Sequence, residues 1–442
     1  MLPKPLRMIW GNLSIVEIKK FGLLAIALMF TVGPHWMLRG IREAIFIDLV
    51  GVHLQPFGKI ASFLFIIPLV LFYSKLVDLV RRDKLFYVIY PTYVLLFFLI
   101  AICISFPTHT TFSNIPLFSW MPGHILGWVS YVIFESFGTL APALFWSFVV
   151  SKTTTKSAKR GYGMIISLTQ IGTITGSFIV ARYSQKLGLS IMIAIAASFI
   201  AIVPLIIKLF VSLDKQPEKK TVFFRSKKTR TGFWEGLRLL LNKPYLLGIF
   251  VITTGYEIVG TVLEYQMNIL AHQAYPTKEM FAAFYARYGL FTNGLALLFA
   301  LVGTSFFLRK FGLRICLILF PVAIGIVVAC TNFFPILPVI FVAMITLKGL
   351  SYSLNNPSKE ILYIPTSRDI KFKAKGWIDI FGVRSIKASG AGINTLFRRL
   401  APAEAIKFAA PILFVIVAGW LMVARVIGKK HHTLVKENNI IE

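Results

Sequence analysis

Apolar residues come in long unbroken runs along the chain, at about residues 21–38, 57–78, 85–106, 124–150, 163–181 and 189–212, and again at 245–270, 288–308, 313–331, 335–355, 383–400 and 407–427. Crossing the roughly 30 Å hydrocarbon core of a bilayer takes about 20 residues of helix, so each run is long enough for one span. A transmembrane barrel would show shorter segments of strict apolar and polar alternation instead. The pattern therefore predicts an all-α polytopic membrane protein of about twelve helices.

The polar breaks carry the topology. Lys4, Arg7, Lys19 and Lys20, then Arg81, Arg82 and Lys84, then the group from Lys152 to Arg160 fall on one side when breaks are assigned alternately, as do the Lys359 to Lys375 run and Lys429 and Lys430. The breaks near 107–123 and 332–334 on the other side hold no Lys or Arg. By the positive-inside rule this asymmetry places both termini in the cytoplasm. The longest polar stretch, Leu213 to Pro244, divides the runs six and six, giving a half at 1–212, a basic cytoplasmic linker at 213–244 and a half with a basic tail at 245–442. Transporters built from two six-helix halves have this layout, with a substrate site near the membrane midplane.

Composition adds a constraint. With 57% hydrophobic and 15% charged residues the chain lies outside the range of soluble domains. The formal net charge of +29 invites a nucleic-acid reading. Placement of the basic residues beside apolar runs argues against one, and anionic lipid headgroups at the cytoplasmic loops are the expected partner instead. Cys103, Cys316 and Cys330 sit within apolar runs without metal-ligand spacing, so no disulfide framework, metal or redox site is expected. The basic start MLPKPLRMIW precedes a full-length apolar run and reads as the flank of a retained first span.

Ionisable residues inside spans are the informative ones, because a charge at the bilayer centre costs about 2.5–3.5 kcal/mol on insertion scales and must face a partner or a cavity. Arg39, Arg42 and Glu43 close the first run within one turn, and Lys59 opens the second. Glu135 lies within VSYVIFESFGTLAPALFW with no basic residue within a turn. In GYEIVGTVLEYQMN, Glu257 and Glu264 are seven residues apart and share one helix face. Arg384 and Lys387 also share a face, among the small residues Ser385, Ala388, Ser389 and Gly390. Together with Lys348, these residues give a mildly cationic interior, suited to a phosphate-bearing anion more than to a sugar or a cation.

Three stretches carry a resemblance. KEILYIPTSRDIKFKAKGWIDIFGVRSIK, from Lys359 to Lys387, closely resembles the signature region of the ATP/ADP translocases of plastids and obligate intracellular bacteria, with the pattern K-E-x-x-Y-I-P-T followed by D-x-K-[YF]-K-A-K-x-W-I-D-x-F-x-x-R-x-x-K. FESFGTLAPALFWSF with AKRGYGMI, and LVDLVRRDKLFYVIYP, are similar to two further segments of that family. The resemblance implies a carrier in the bacterial inner membrane with an architecture similar to the major facilitators. Such a carrier exchanges ATP for ADP without hydrolysis, as a monomer and with no cofactor. It places Lys59, Glu135, Glu264 and Lys387 on the family's charged transport determinants.

Departures from the family pattern widen the substrate class. Arg42 and Glu43 stand in LRGIRE where the family has L-R-x-L-K-D, and VLEYQMN replaces L-V-E-V-T-W-K, leaving Tyr265 and Asn268 at the lost tryptophan and lysine. Glu257 is an added carboxylate. One cation fewer and one carboxylate more also fit a less charged nucleotide, NAD, another phosphate-bearing anion, or proton-coupled uptake. Tyr256, Tyr265 and Trp36 are the aromatic candidates for stacking on a base. An enzyme is the third class considered, and the absence of a GxxxxGK[ST] loop, of HExxH and of any nucleophile partnership argues against it.

Overall fold

Ser14 starts the first helix with a reciprocal cap: its hydroxyl accepts from Glu17 N at 3.2 Å, and the Glu17 carboxylate accepts from Ser14 N at 3.0 Å. This is the capping-box pattern that satisfies two otherwise orphaned backbone donors. The computed structural model describes residues 14–106, 123–153, 155–213, 233–299, 304–367, 374–375, 377–437 and 441. The flanks at Lys4 and Arg7, the 107–122 loop, most of the linker, and Arg368, Lys371 and Lys373 of the signature lie outside these residues.

Thirteen α-helices follow one another in the described residues: α1 (Ile15–Leu49), α2 (Gln55–Leu79), α3 (Arg82–Ser105), α4 (Ile125–Lys152), α5 (Thr155–Leu213), α6 (Phe233–Asn242), α7 (Pro244–Ala274), α8 (Lys278–Leu298), α9 (Thr304–Phe333), α10 (Leu337–Leu350), α11 (Asn356–Leu362), α12 (Val383–Phe397) and α13 (Pro402–Lys436). Two π-helical turns, Ser351–Asn355 and Ile378–Gly382, precede α11 and α12. The only strand-like pairing among the described residues is one bridge between Thr366 and Ile441. All-helical architecture is what a lipid solvent demands, since each backbone polar group must be satisfied within its own segment.

Seven helices among the described residues are long and apolar enough to cross a membrane. Two expected spans are fused in α5, where Gly188 at φ +77° breaks the helix between runs 163–181 and 189–212. Only glycine adopts that left-handed angle without a Cβ penalty. Other expected spans fall short for physical reasons: α10 has only 14 residues before its π turn, and α12 is rich in Arg, Lys, Ser and Gly. Leu95, Leu205 and Val415 stand outward at 61–72% exposure, the surface a bilayer covers.

The chain gathers into two compact units. The first holds the described parts of Met1–Val52, Leu64–Lys227 and Tyr275–Asn293; the second holds His53–Phe63, Lys228–Ala274 and Gly294–Glu442. The start of α2 thus belongs with the later helices, and the start of α8 belongs with the earlier ones.

In the first unit α1 packs against α5 backbone to backbone. A Cβ on Gly33 would lie 2.9 Å from the Gly172 carbonyl oxygen, and one on Gly176 would run into the Gly33 carbonyl. Gly172 and Gly176 are four residues apart, the small-xxx-small spacing that lets membrane helices touch. Aromatic edges join α1 to α4 through Phe46, whose ring centre is 5.1 Å from Trp128 and 5.0 Å from Tyr131. Hydroxyl pairs cross between helices at Thr31 and Tyr90 (3.0 Å) and at Tyr93 and Ser136 (2.8 Å). Such pairs contribute about 0.6 kcal/mol each in a membrane, so packing dominates.

In the second unit α7 is the hub. A Cβ on Gly390 would sit 2.9 Å from the Thr261 side chain and 3.2 Å from the Ile258 carbonyl, so its absence lets α12 lie directly on α7. One turn further along, the Asn394 amide donates to the Thr261 carbonyl at 3.1 Å and fixes the register. At one end of the unit Lys375 pairs with Glu360 at 2.6 Å and Lys359 with Asp379 at 3.0 Å.

Candidate functional site

Each unit holds its own charged cluster, and the register of its helices sets each one. In the first unit Arg42 of α1 is 7% exposed and Glu43 fully buried. The Arg42 Nη2 atom lies 2.6 Å from Glu43 Oε1, its Nη1 is ion-paired with Glu135 Oε2 of α4, and its guanidinium stacks on the Tyr131 ring at 4.6 Å. The Tyr131 hydroxyl donates to Glu43 Oε1 at 3.3 Å. Arginine suits this position because its planar fork bonds two carboxylates at once while its face packs on an aromatic ring. One turn earlier Arg39 lies over Trp36 at 4.9 Å and near Tyr285 of α8 at 6.0 Å. Trp36, a candidate for stacking on a base, here stacks on an arginine.

The second unit holds two clusters, both centred on α7. Lys59 of α2 donates to Glu264 Oε2 at 2.7 Å, with both side chains 12% exposed. Two turns earlier, on the shared face expected from the spacing, Glu257 is 4% exposed. Its Oε2 is 3.3 Å from Lys348 Nζ of α10 and 3.7 Å from Lys387 Nζ of α12. Its Oε1 accepts from the Tyr256 hydroxyl at 2.5 Å, and Lys348 also lies over the Tyr256 ring at 5.2 Å. Lys348 lies one turn before the π turn Ser351–Asn355, a deviation from α-helix that recurs at functional sites. Gly390 explains how Lys387 arrives: the close contact of α12 with α7 brings the preceding turn against Glu257.

Other candidates take distinct places. Arg384 is half-buried one turn before Lys387. Tyr265 and Asn268 are fully buried on α7, and neither the Tyr265 hydroxyl nor the Asn268 amide has a hydrogen-bond partner among the described residues. Two residues were missing from the sequence-derived site. Lys348 was visible as a lone lysine in the apolar run FVAMITLKGL, but only the fold gives it a carboxylate. Tyr131 carried no signal, being one aromatic among many in an apolar run.

Formal charges decide what these clusters can do. Lys59 and Glu264 cancel. Arg39 and Arg42 against Glu43 and Glu135 also cancel. Lys348 and Lys387 against Glu257 leave one positive charge. A buried cation shared with a carboxylate stays charged without a fixed external partner, and it can pass from that carboxylate to an entering anion. Among the described residues no group of three or more His, Cys, Asp or Glu side chains is placed to hold a metal ion.

Comparison with known proteins places the chain. The profile of the family described as TLC ATP/ADP transporter matches residues 4–431. ADP,ATP carrier protein 1 of Rickettsia prowazekii (strain Madrid E) is 26% identical, over 98% of this chain and 97% of its own length. ADP,ATP carrier protein 4 of Rickettsia bellii (strain RML369-C) is 25% identical, over 95% and 92%. Among solved structures, the nucleoside transporter NupG superposes with a TM-score of 0.60 at 13% identity, covering 93% of this chain and 99% of its own. A POT family transporter crystallised with 5-aminolevulinic acid also gives 0.60, at 12% identity, covering 91% and 96%. Those two likenesses concern the fold, a helical transporter fold similar to the major facilitator architecture.

Proposed function

As the chain belongs to the TLC ATP/ADP transporter family, a family of carriers and not of enzymes, we propose that this multi-pass membrane protein exchanges ATP for ADP by alternating access, without hydrolysis. The observation that carries the reading is the set of cations Arg42, Lys59 and Lys348, all largely buried, and the half-exposed Lys387, each resting on a carboxylate within its own unit. In this reading the phosphates of an entering nucleotide take over some of those cations. In the empty carrier the carboxylates partner the cations, so none of the four stands opposite an apolar neighbour alone. Lys387 has the most accessible side chain of the four and is the expected first phosphate contact in the second unit, where the Lys59 side chain is 12% exposed.

Bacterial relatives support a bacterial inner membrane as the setting, and the charge distribution supports both termini in the cytoplasm with basic loops lying against anionic lipid. The test is uptake of radiolabelled ATP by intact cells expressing the protein. Exchange predicts uptake stimulated by internal ADP and unchanged by an uncoupler, whereas collapse of uptake with the proton gradient would overturn it. A second reading, transport of a less charged phosphate compound, is favoured by one observation, the carboxylate of Glu257 between two lysines.

A further inference from the structure

We propose that Glu257 is a resident counter-ion of Lys348 and Lys387 that sets how much phosphate charge the carrier accepts, with Lys348 as a positioning residue acting through that carboxylate. The inference rests on the reading of the chain as a nucleotide carrier and concerns which nucleotide charge the second unit prefers.

The geometry supplies the argument. A hydroxyl and two ammonium groups from three elements converge on one carboxylate: Tyr256 of α7 donates at 2.5 Å, Lys348 of α10 at 3.3 Å, and Lys387 of α12 is ion-paired at 3.7 Å. Exposure falls steadily through the cluster, with 43% of the Lys387 side chain exposed, 12% of Lys348 and 6% of Glu257. An anion arriving at this unit therefore meets Lys387 first, with a carboxylate directly behind it. Lys348, held by Glu257 and by the face of Tyr256, is spoken for. The formal charges of Lys348, Lys387 and Glu257 together offer the anion a net of one positive charge where the lysine count suggests two.

Consequences for selectivity follow from Coulomb's law. In a site of low effective dielectric, a fixed negative charge a few ångströms behind the binding cation acts more strongly on a more highly charged ligand. Glu257 thus penalises each additional phosphate charge, drawing the preference from nucleoside triphosphate toward nucleoside di- and monophosphate. The tighter contact is with the more deeply buried lysine, which is the arrangement for tuning a site instead of filling it. Selectivity of this kind is a difference between affinities, and a built-in repulsive group is one of the two ways to create it.

The experiment measures competition by unlabelled AMP, ADP and ATP against uptake of radiolabelled ADP, in cells expressing wild-type protein, Glu257→Gln, Lys348→Gln and the double variant Glu257→Gln with Lys348→Gln. Glu257→Gln is expected to shift the ratio of ATP to AMP inhibition constants about tenfold in favour of ATP, the scale of an ordinary coupling between sites. Lys348→Gln shifts it toward AMP. The double variant, which restores the net charge of the cluster, returns the ratio to within about threefold of wild type, below that coupling scale. A purely structural role would raise all three constants together and make the double variant worse than either single one, and that result overturns the proposal. Should Glu257→Gln fail to insert, the double variant and Lys348→Gln carry the same comparison. If wild-type protein takes up no nucleotide, the carrier reading itself fails and this inference falls with it; an unchanged ratio in a working carrier sinks the inference alone.

Discussion

Arg42 and Glu43 are sequence neighbours that bond to each other inside the protein, at 2.6 Å, although neighbouring residues on a helix normally point in different directions. The guanidinium reaches back over Tyr131 to do so, and its other edge binds Glu135 on α4. Glu43 is fully buried, and this contact and the Tyr131 hydroxyl are among the partners of its carboxylate.

Arg42→Ala should therefore destabilise the protein by about 3–5 kcal/mol, the usual result of leaving one member of a buried ion pair alone. Adding Glu43→Gln to that variant should recover part of the loss. Thermal unfolding of the detergent-solubilised protein, followed by size-exclusion monodispersity, reads both; equal stability of the single and double variants would show that Glu43 does not depend on Arg42.

Lys59 and Glu264 form a pair of matched burial, 12% exposed on each side. Removing either charge alone, as Lys59→Gln or Glu264→Gln, should cost more stability than the double substitution, because the pair removed together leaves no stranded charge. Uptake tells a different story from stability. If these residues handle substrate, the double variant folds and does not transport; recovery of transport along with stability would reduce the pair to a structural tie.

Lys387→Ala should abolish nucleotide uptake while the protein still folds and inserts, since 43% of that side chain is exposed and its contact with Glu257 is the longer of the two. Membrane abundance by immunoblot, measured beside uptake, separates loss of function from loss of protein. Normal uptake would remove Lys387 from the phosphate site.

Gly176→Val should push α1 off α5, because a Cβ there runs into the Gly33 carbonyl, a backbone atom that no rotamer change can move aside. Overpacking of this kind costs about 1–3 kcal/mol. By contrast, Asp48→Asn removes a half-exposed pair with Lys278 at 3.3 Å and should change stability by less than about 1 kcal/mol. A smaller effect for the glycine variant than for the aspartate variant would contradict the packing described for the first unit.

The all-helical fold is legible in the sequence because lipid leaves few options: apolar runs of span length become helices, even across interior prolines such as Pro34, Pro91 and Pro142. Glu135, Glu264, Lys59 and Lys387 were legible as charged residues out of place. Their partners were not. Lys348 and Glu257 are 91 residues apart, and nothing local in either segment says that α10 and α7 meet. Likewise the role of Gly390 reads in sequence only as a small residue near a lysine; the 2.9 Å approach to Thr261 shows that it positions Lys387. The twelve runs read as spans exceed the seven helices that are long and apolar enough among the described residues, since a π turn ends α10 after 14 residues and α12 carries Arg384 and Lys387.

Synthesis runs from the N-terminus, and the composition of the two units has a consequence for the order of assembly. The first unit includes Tyr275–Asn293, so a ribosome must have passed that segment before the unit has all its parts, well after the linker has emerged. His53–Phe63 emerges early yet belongs with helices made later, so the start of α2, including Lys59, waits 205 residues for Glu264. Cutting the gene at the linker and co-expressing the pieces would accordingly give two fragments that each lack a strip of their own unit, and neither should be stable until the other is present.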